Sequence, residues 1–207
     1  MIDGGAITGV AVGELPLQSL HPDWSEDWGA SIRSPRNRKA ILANRRLSGR
    51  LSADLARRLE IDPIDAVPPA DAHALKVFAS DPKRFMQVAG LVTEAHRLAG
   101  IIDAPTLRDL SQAFPLEDIR TAIACRSLVP DTDETGLDLD NLAVAAREAG
   151  PKLILGWADQ VSPALRGHIR LMLPKSLIPL EKDGNQPGIN HVSGKIVRRI
   201  AELLSPP

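Results

Sequence analysis

The stretch that most narrows what this chain can fold into runs from Pro82 to Ala99. Asp81 can accept from the free amides of a first helical turn, and Pro82 sits where a helix tolerates proline, so the spacing predicts a helix that starts at Pro82. Its polar positions, Lys83, Gln87, Glu94 and Arg97, recur with Gly90 at three- and four-residue steps and form one narrow stripe. Phe85, Met86, Val88, Ala89, Leu91, Val92, Ala95, Leu98 and Ala99 take the rest of the circumference, a wider apolar surface than a surface helix carries. Such a helix has to be covered on more than one side. Each large side chain buried there contributes about 1.5–3 kcal/mol, so this element can anchor a helical core.

Short helical stretches surround it. Ala70 to Ser80 precedes it; Asp103 and Pro105 open another through Leu107 and Leu110 to Phe114; Pro115 separates that from Leu116 to Ser127, with Ile119 and Ile123 inward. Leu142 to Ala149 reads as a helix stopped by Gly150 and Pro151. Leu153 to Val161 fits helix or a short strand; helix is preferred because Leu153, Trp157 and Val161 share a face. Ser162 and Pro163 start Ala164 to Leu173, Pro174 ends it, and the last helix carries Ile196, Val197, Ile200, Ala201 and Leu204 on one face. The expected class is all-α: a compact array of short helices packed around the central helix at 82–99, with a loosely attached N-terminal helical pair.

At 207 residues and 43% hydrophobic content, the chain can bury a sizeable core without disulfides or metal. Residues 1–20, rich in glycine and without a basic residue, read as an arm; 21–62 as a basic helical segment; 63–70, with Pro63, Pro68 and Pro69, as a linker; and 71–207 as the main helical domain. The whole also reads as one domain. Cys125 is the only cysteine, which excludes an internal disulfide and fits a reducing compartment. The first basic residue is Arg33, so neither a secretory signal nor a transit peptide is expected. Apolar runs such as Leu153 to Ala158 fall far short of the roughly 20 residues that cross a bilayer. A cytosolic protein is the expectation.

The net charge of −1 hides a segregation. Arg33, Arg36, Arg38, Lys39, Arg45, Arg46, Arg50, Arg57 and Arg58 face one acid, Asp54, giving residues 33–58 a charge of +8 and leaving −9 for the rest of the chain. A basic block on an acidic body suggests a docking surface for something negative. Ser34 and Pro35 look like the cap and first residue of a helix from Arg36 to about Arg46, with Ile41 and Leu42 as its apolar contacts. Ser52 can cap a second helix to Leu59, with Leu47, Leu51, Leu55 and Leu59 as its stripe. This helix, turn and helix resemble the first part of a helix-turn-helix DNA reader, but that motif needs a recognition helix directly afterwards, where Pro63, Pro68 and Pro69 stand. Protein docking, DNA binding and a solvated basic face are the readings of this block. Trp24 and Trp28, one helical turn apart if their segment is helical, either pack on the core edge or serve as partner anchors.

Chemical signatures are scarce. His21, His73, His96, His168 and His191 match no zincin, zinc-finger or EF-hand spacing, and Gly4, Gly5 and Gly9 form no Walker or dinucleotide pattern. His96, on the central helix, is either a structural histidine or a buried switch, and Cys125 reads as a small buried residue rather than a nucleophile. No catalytic residue, cofactor, metal or small-molecule substrate is expected.

Several segments carry a resemblance. HPDW (His21 to Trp24), RFMQVAGLVTEAHRLAGIIDAPTLRDL (Arg84 to Leu110), Trp157, LRGHIRLMLP (Leu165 to Pro174) and KIVRRIAELL (Lys195 to Leu204) resemble the K-type accessory proteins of bacterial type III secretion systems. This is the SctK, YscK and OrgA-like family, and within it the rhizobial nodulation protein U group. The basic block followed by a proline-rich linker departs from the family pattern. The resemblance implies an all-helical, non-enzymatic adaptor of the cytosolic sorting platform. Such an adaptor joins the cytoplasmic domain of the inner-membrane ring to a pod built from a switch-like protein, and is peripheral to the membrane when assembled. On that reading Arg36, Arg38, Lys39, Arg45, Arg46 and Arg50 face an acidic partner surface, with Trp24 and Trp28 as anchors beside them. The alternative from another class is a helix-turn-helix-like DNA-binding regulator using residues 33–58.

Overall fold

The computed structural model describes residues 21, 23–24, 34–42, 44, 50, 54, 57, 67–101, 104–130, 139–178 and 190–205. These form an all-α fold, without a strand among the described residues. In chain order the helices are α1 (Pro35–Leu42), α2 (Pro69–Ser80), α3 (Pro82–Thr93), α4 (Ala95–Ala99), α5 (Ala104–Ala113), α6 (Leu116–Ala124), α7 (Leu139–Ala158), α8 (Pro163–Leu171) and α9 (Asn190–Leu204). Short 3-10 turns at Arg126–Leu128 and Lys175–Leu177 follow α6 and α8.

The expected central helix is central. It starts at Pro82, and Asp81 caps it by accepting from the Arg84 amide at 3.1 Å. Phe85, Val88, Ala89, Leu91 and Val92 are buried around its circumference, and α2, α4, α6, α7 and α9 all pack on it. Phe78 of α2 meets Phe85 edge to face, with ring centroids 5.5 Å apart. The helix is not continuous to Ala99, because it breaks at Glu94. There the Thr93 hydroxyl donates to the Gly90 carbonyl at 2.7 Å and the Glu94 amide turns back to Leu91 at 3.1 Å, tightening the last turn and starting α4 on a new axis.

Two further departures share one cause. Gly90 does not lie on a solvated stripe; it is buried. Gly150 and Pro151 do not end a helix; both are buried inside α7, which runs on to Ala158. A Cβ on Gly90 would stand 1.8 Å from the Ala146 carbonyl oxygen, and one on Gly150 would stand 2.1 Å from that of Met86. Met86 and Gly90 on α3 therefore meet Gly150 and Ala146 on α7 in reverse order, an antiparallel crossing in which backbone touches backbone. Pro151 removes one helical hydrogen bond, at a cost of about 3 kcal/mol in a helix interior. Continuing the helix buries Leu153, Ile154 and Trp157, each at no more than 1% exposure, which offsets that cost.

The other expected faces are in place. Ile119 and Ala122 of α6 are buried, with Ile123 packed half-buried against the core, and Ile196, Val197, Ile200 and Ala201 of α9 are buried. Ser162 caps α8 by accepting from the Leu165 amide at 3.4 Å. Val67, within the stretch read as linker, is 1% exposed and belongs to the core, and α2 already includes Pro69 and Ala70. The arm at 1–20 lies outside the described residues.

Candidate functional site

The basic segment begins with α1, whose start follows from its first residues. The Ser34 hydroxyl accepts from the Asn37 amide at 3.4 Å, and Pro35 opens the helix. Arg36, Asn37 and Ala40 are exposed while Ile41 is half-buried. Arg38 and Lys39 lie on the same helix. Arg50 and Arg57 are exposed and helical, and the Arg57 guanidinium reaches Asp54, the one acid of the segment, at 3.4 Å. Arg45, Arg46 and Trp28, together with the Leu47, Leu51, Leu55 and Leu59 stripe, lie outside the described residues.

Trp24 is half-buried and turned onto its own chain. Its Nε1–H donates to the Leu173 carbonyl at 3.0 Å, and the Lys175 ammonium lies 4.7 Å from the ring centroid. The packing alternative for this tryptophan matches that placement. Its neighbours dock with it: the His21 amide donates to the Leu171 carbonyl at 2.9 Å, and the Asp23 carboxylate accepts from the Lys175 amide at 3.1 Å.

Two polar clusters brace the body, and periodicity does not announce either. Asp71, in the first turn of α2, is 3% exposed. Its carboxylate accepts from Arg198 Nε at 2.8 Å and Nη2 at 3.1 Å, and from the Trp157 indole at 3.0 Å, so one acid joins α2, α7 and α9. Asp118 of α6 is fully buried and accepts from Arg84 of α3, with Nε at 2.9 Å and Gln87 Nε2 at 3.4 Å. The hydrogen bond to Asp118 raises the affinity of the Arg84 guanidinium for its proton above the ordinary value. A signal does exist in the sequence: Asp118 stands beside inward-facing Ile119, and Arg198 interrupts the apolar face of α9. Charges in such positions need buried partners.

Three histidines have structural partners. His96 Nε2 is 3.0 Å from the Val129 carbonyl. His168 Nδ1 meets the Ala164 carbonyl at 2.8 Å, so that nitrogen carries a proton; burial nevertheless pushes the imidazole below its usual pKa. Burial pushes the Cys125 thiol up to about 11, leaving it protonated and unreactive at neutral pH. The Ser205 hydroxyl lies 2.6 Å from the Ala201 carbonyl and 2.8 Å from His73 Nε2. Among the described residues, no group of three or more His, Cys, Asp or Glu gathers as metal ligands, and no helix is long and apolar enough to cross a membrane.

Among the described residues, the arrangement is a helix with Arg36 exposed, together with a helical body braced at Asp71 and Asp118. No family model, curated protein or solved structure matches the chain.

Proposed function

We propose that this chain is a non-enzymatic docking adaptor whose basic segment engages an acidic protein surface. The observation that carries the reading is the charge segregation, +8 over residues 33–58 against −9 elsewhere, with Arg36, Arg50 and Arg57 exposed. Opposite charges on two partners raise the encounter rate and orient the approach. The resemblance to type III secretion K-type accessory proteins names the partners: the cytoplasmic domain of an inner-membrane ring and a switch-like pod protein. In support, the segments that carry the resemblance supply α3 to α5, α8 and α9, together with core residue Trp157. On this reading the protein works in the cytoplasm, at the inner face of the membrane, and is held there through the ring.

The test uses purified ring cytoplasmic domain and purified pod protein with the full chain, before and after nuclease treatment. Replacing Arg36, Arg38, Lys39 and Arg50 by glutamate is expected to abolish capture of one of them while helical content by circular dichroism stays unchanged. Capture by the charge-reversed chain as strong as by the original would refute the assignment. A salt-sensitive, sequence-dependent gel shift, without protein capture, would instead establish the DNA-binding alternative.

A further inference from the structure

Helix α8 stops at Leu171, and Pro174 bars its continuation, so the Leu171 and Leu173 carbonyls and the Lys175 amide that opens the following 3-10 turn lack helical partners of their own. Residues distant in sequence supply some of those partners. The His21 amide takes the Leu171 carbonyl, the Trp24 indole takes the Leu173 carbonyl, and the Asp23 carboxylate takes the Lys175 amide that opens the 3-10 turn. His21, Asp23 and Trp24 thus cap one helix end and the start of the next turn, bridging a sequence separation of 149 residues at Trp24. The Lys175 ammonium over the Trp24 ring closes the arrangement from outside.

We infer that His21, Asp23 and Trp24 form a latch that clamps the base of the basic segment to the end of α8 and opens as a unit of its own, before the core does. The physical ground is the contrast in what holds each part. The core is held by side chains at 0–1% exposure on α3, α7 and α9, whereas His21, Asp23 and Trp24 are only half-buried and are held by a few polar contacts and one ring face. Elements with few buried apolar contacts open at a lower free energy than the global transition. Trp24 is the anchor, since its ring provides both the indole donor and the surface under Lys175. The latch stands whether or not the basic segment docks on a protein.

Residue-resolved amide hydrogen exchange on the full chain tests it. Trp24→Ala is expected to speed exchange of the His21 and Lys175 amides at least tenfold while amides in α3 and α9 keep their protection. Lys175→Ala, which keeps the backbone donor and removes the ammonium, is expected to give a smaller increase at His21. Unchanged exchange at His21 and Lys175 in Trp24→Ala would overturn the latch, and so would equal acceleration throughout α3 and α9. The unaltered protein gives a check that does not depend on the variant folding. With sub-denaturing urea, the His21 amide should exchange with a shallow urea dependence, because little surface is exposed when a latch opens. A slope as steep as that of α9 amides would show that these residues open only with the core.

Discussion

The crossing of α3 over α7 makes a quantitative demand. Replacing Gly90 by alanine places a Cβ 1.8 Å from the Ala146 carbonyl oxygen and 2.6 Å from its carbonyl carbon. Contacts of this kind below 3.0 Å essentially do not occur, and the obstacle is backbone, so no side chain can rotate away. The two helices would have to separate by at least about 1.2 Å at this point. A radial gap of about 0.5–1 Å already forfeits a quarter to a half of each dispersion well along the seam. Overpacking of a core costs about 1–3 kcal/mol when side chains can adjust, and this contact belongs at or above the top of that range. Alanine gains about 1 kcal/mol in helix propensity, which does not close the difference. The expected net loss is about 2–3 kcal/mol, and at about 2–4 °C per kcal/mol for a chain of this length, Tm falls by about 4–12 °C.

Gly150→Ala should behave alike, because its Cβ would meet the Met86 carbonyl oxygen at 2.1 Å. The double variant should lose less than the two single losses together, since one separation of the helices relieves both clashes. Gly100→Ala is the control: it ends α4 with φ −80°, and its Cβ would meet nothing closer than 3.4 Å. Thermal and urea unfolding followed by circular dichroism measure all four. A Gly90→Ala protein as stable as the original, or more stable, would refute the backbone-to-backbone crossing.

Three further outcomes follow from the polar and titratable groups. Asp71→Ala should cost about 3 kcal/mol in urea unfolding, because it strands the Arg198 guanidinium and the Trp157 indole; Asp71→Asn, which keeps an acceptor for the indole, should cost less, and equal losses would count against the shared node. Burial lowers the pKa of His168, so its neutral form suits the fold: its contribution is fully present above about pH 6.5 and is lost as pH falls through the lower folded value. Between pH 7 and pH 5, Tm should therefore fall more steeply for the original protein than for His168→Gln, and parallel profiles would remove this histidine from the acid response. The buried Cys125 thiol, with its pKa pushed up to about 11, should resist alkylation at pH 8 and react only at the rate of unfolding; rapid labelling of the folded protein would contradict its burial.

Helix starts were legible because their signals are local. Asp81 before Pro82, Ser162 before Pro163 and Ser34 before Pro35 each place a side-chain acceptor beside a proline, and the structure puts a helix start at all three. The inward faces of α3, α6 and α9 follow from apolar residues recurring within one or two turns. The basic character of residues 33–58 is a property of composition, so the segment proposed for docking was visible without coordinates. Its charge does not name a partner.

Glycine and proline misled for a physical reason. A Gly–Pro pair is a common helix stop, and a glycine amid polar positions looks solvated; at Gly150, Pro151 and Gly90 the advantage of bringing two backbones together outweighs both tendencies. Sequence alone therefore determined the class, the helix starts, the inward faces and the segregation of charge, all of which depend on residues within a turn or two of one another. Only the tertiary structure decided that Gly90 meets Ala146, that Asp71 reaches Arg198 across 127 residues, and that Trp24 caps the end of α8 across 149. Periodicity records which way a side chain faces, whereas these pairings depend on which helix comes to lie against that face.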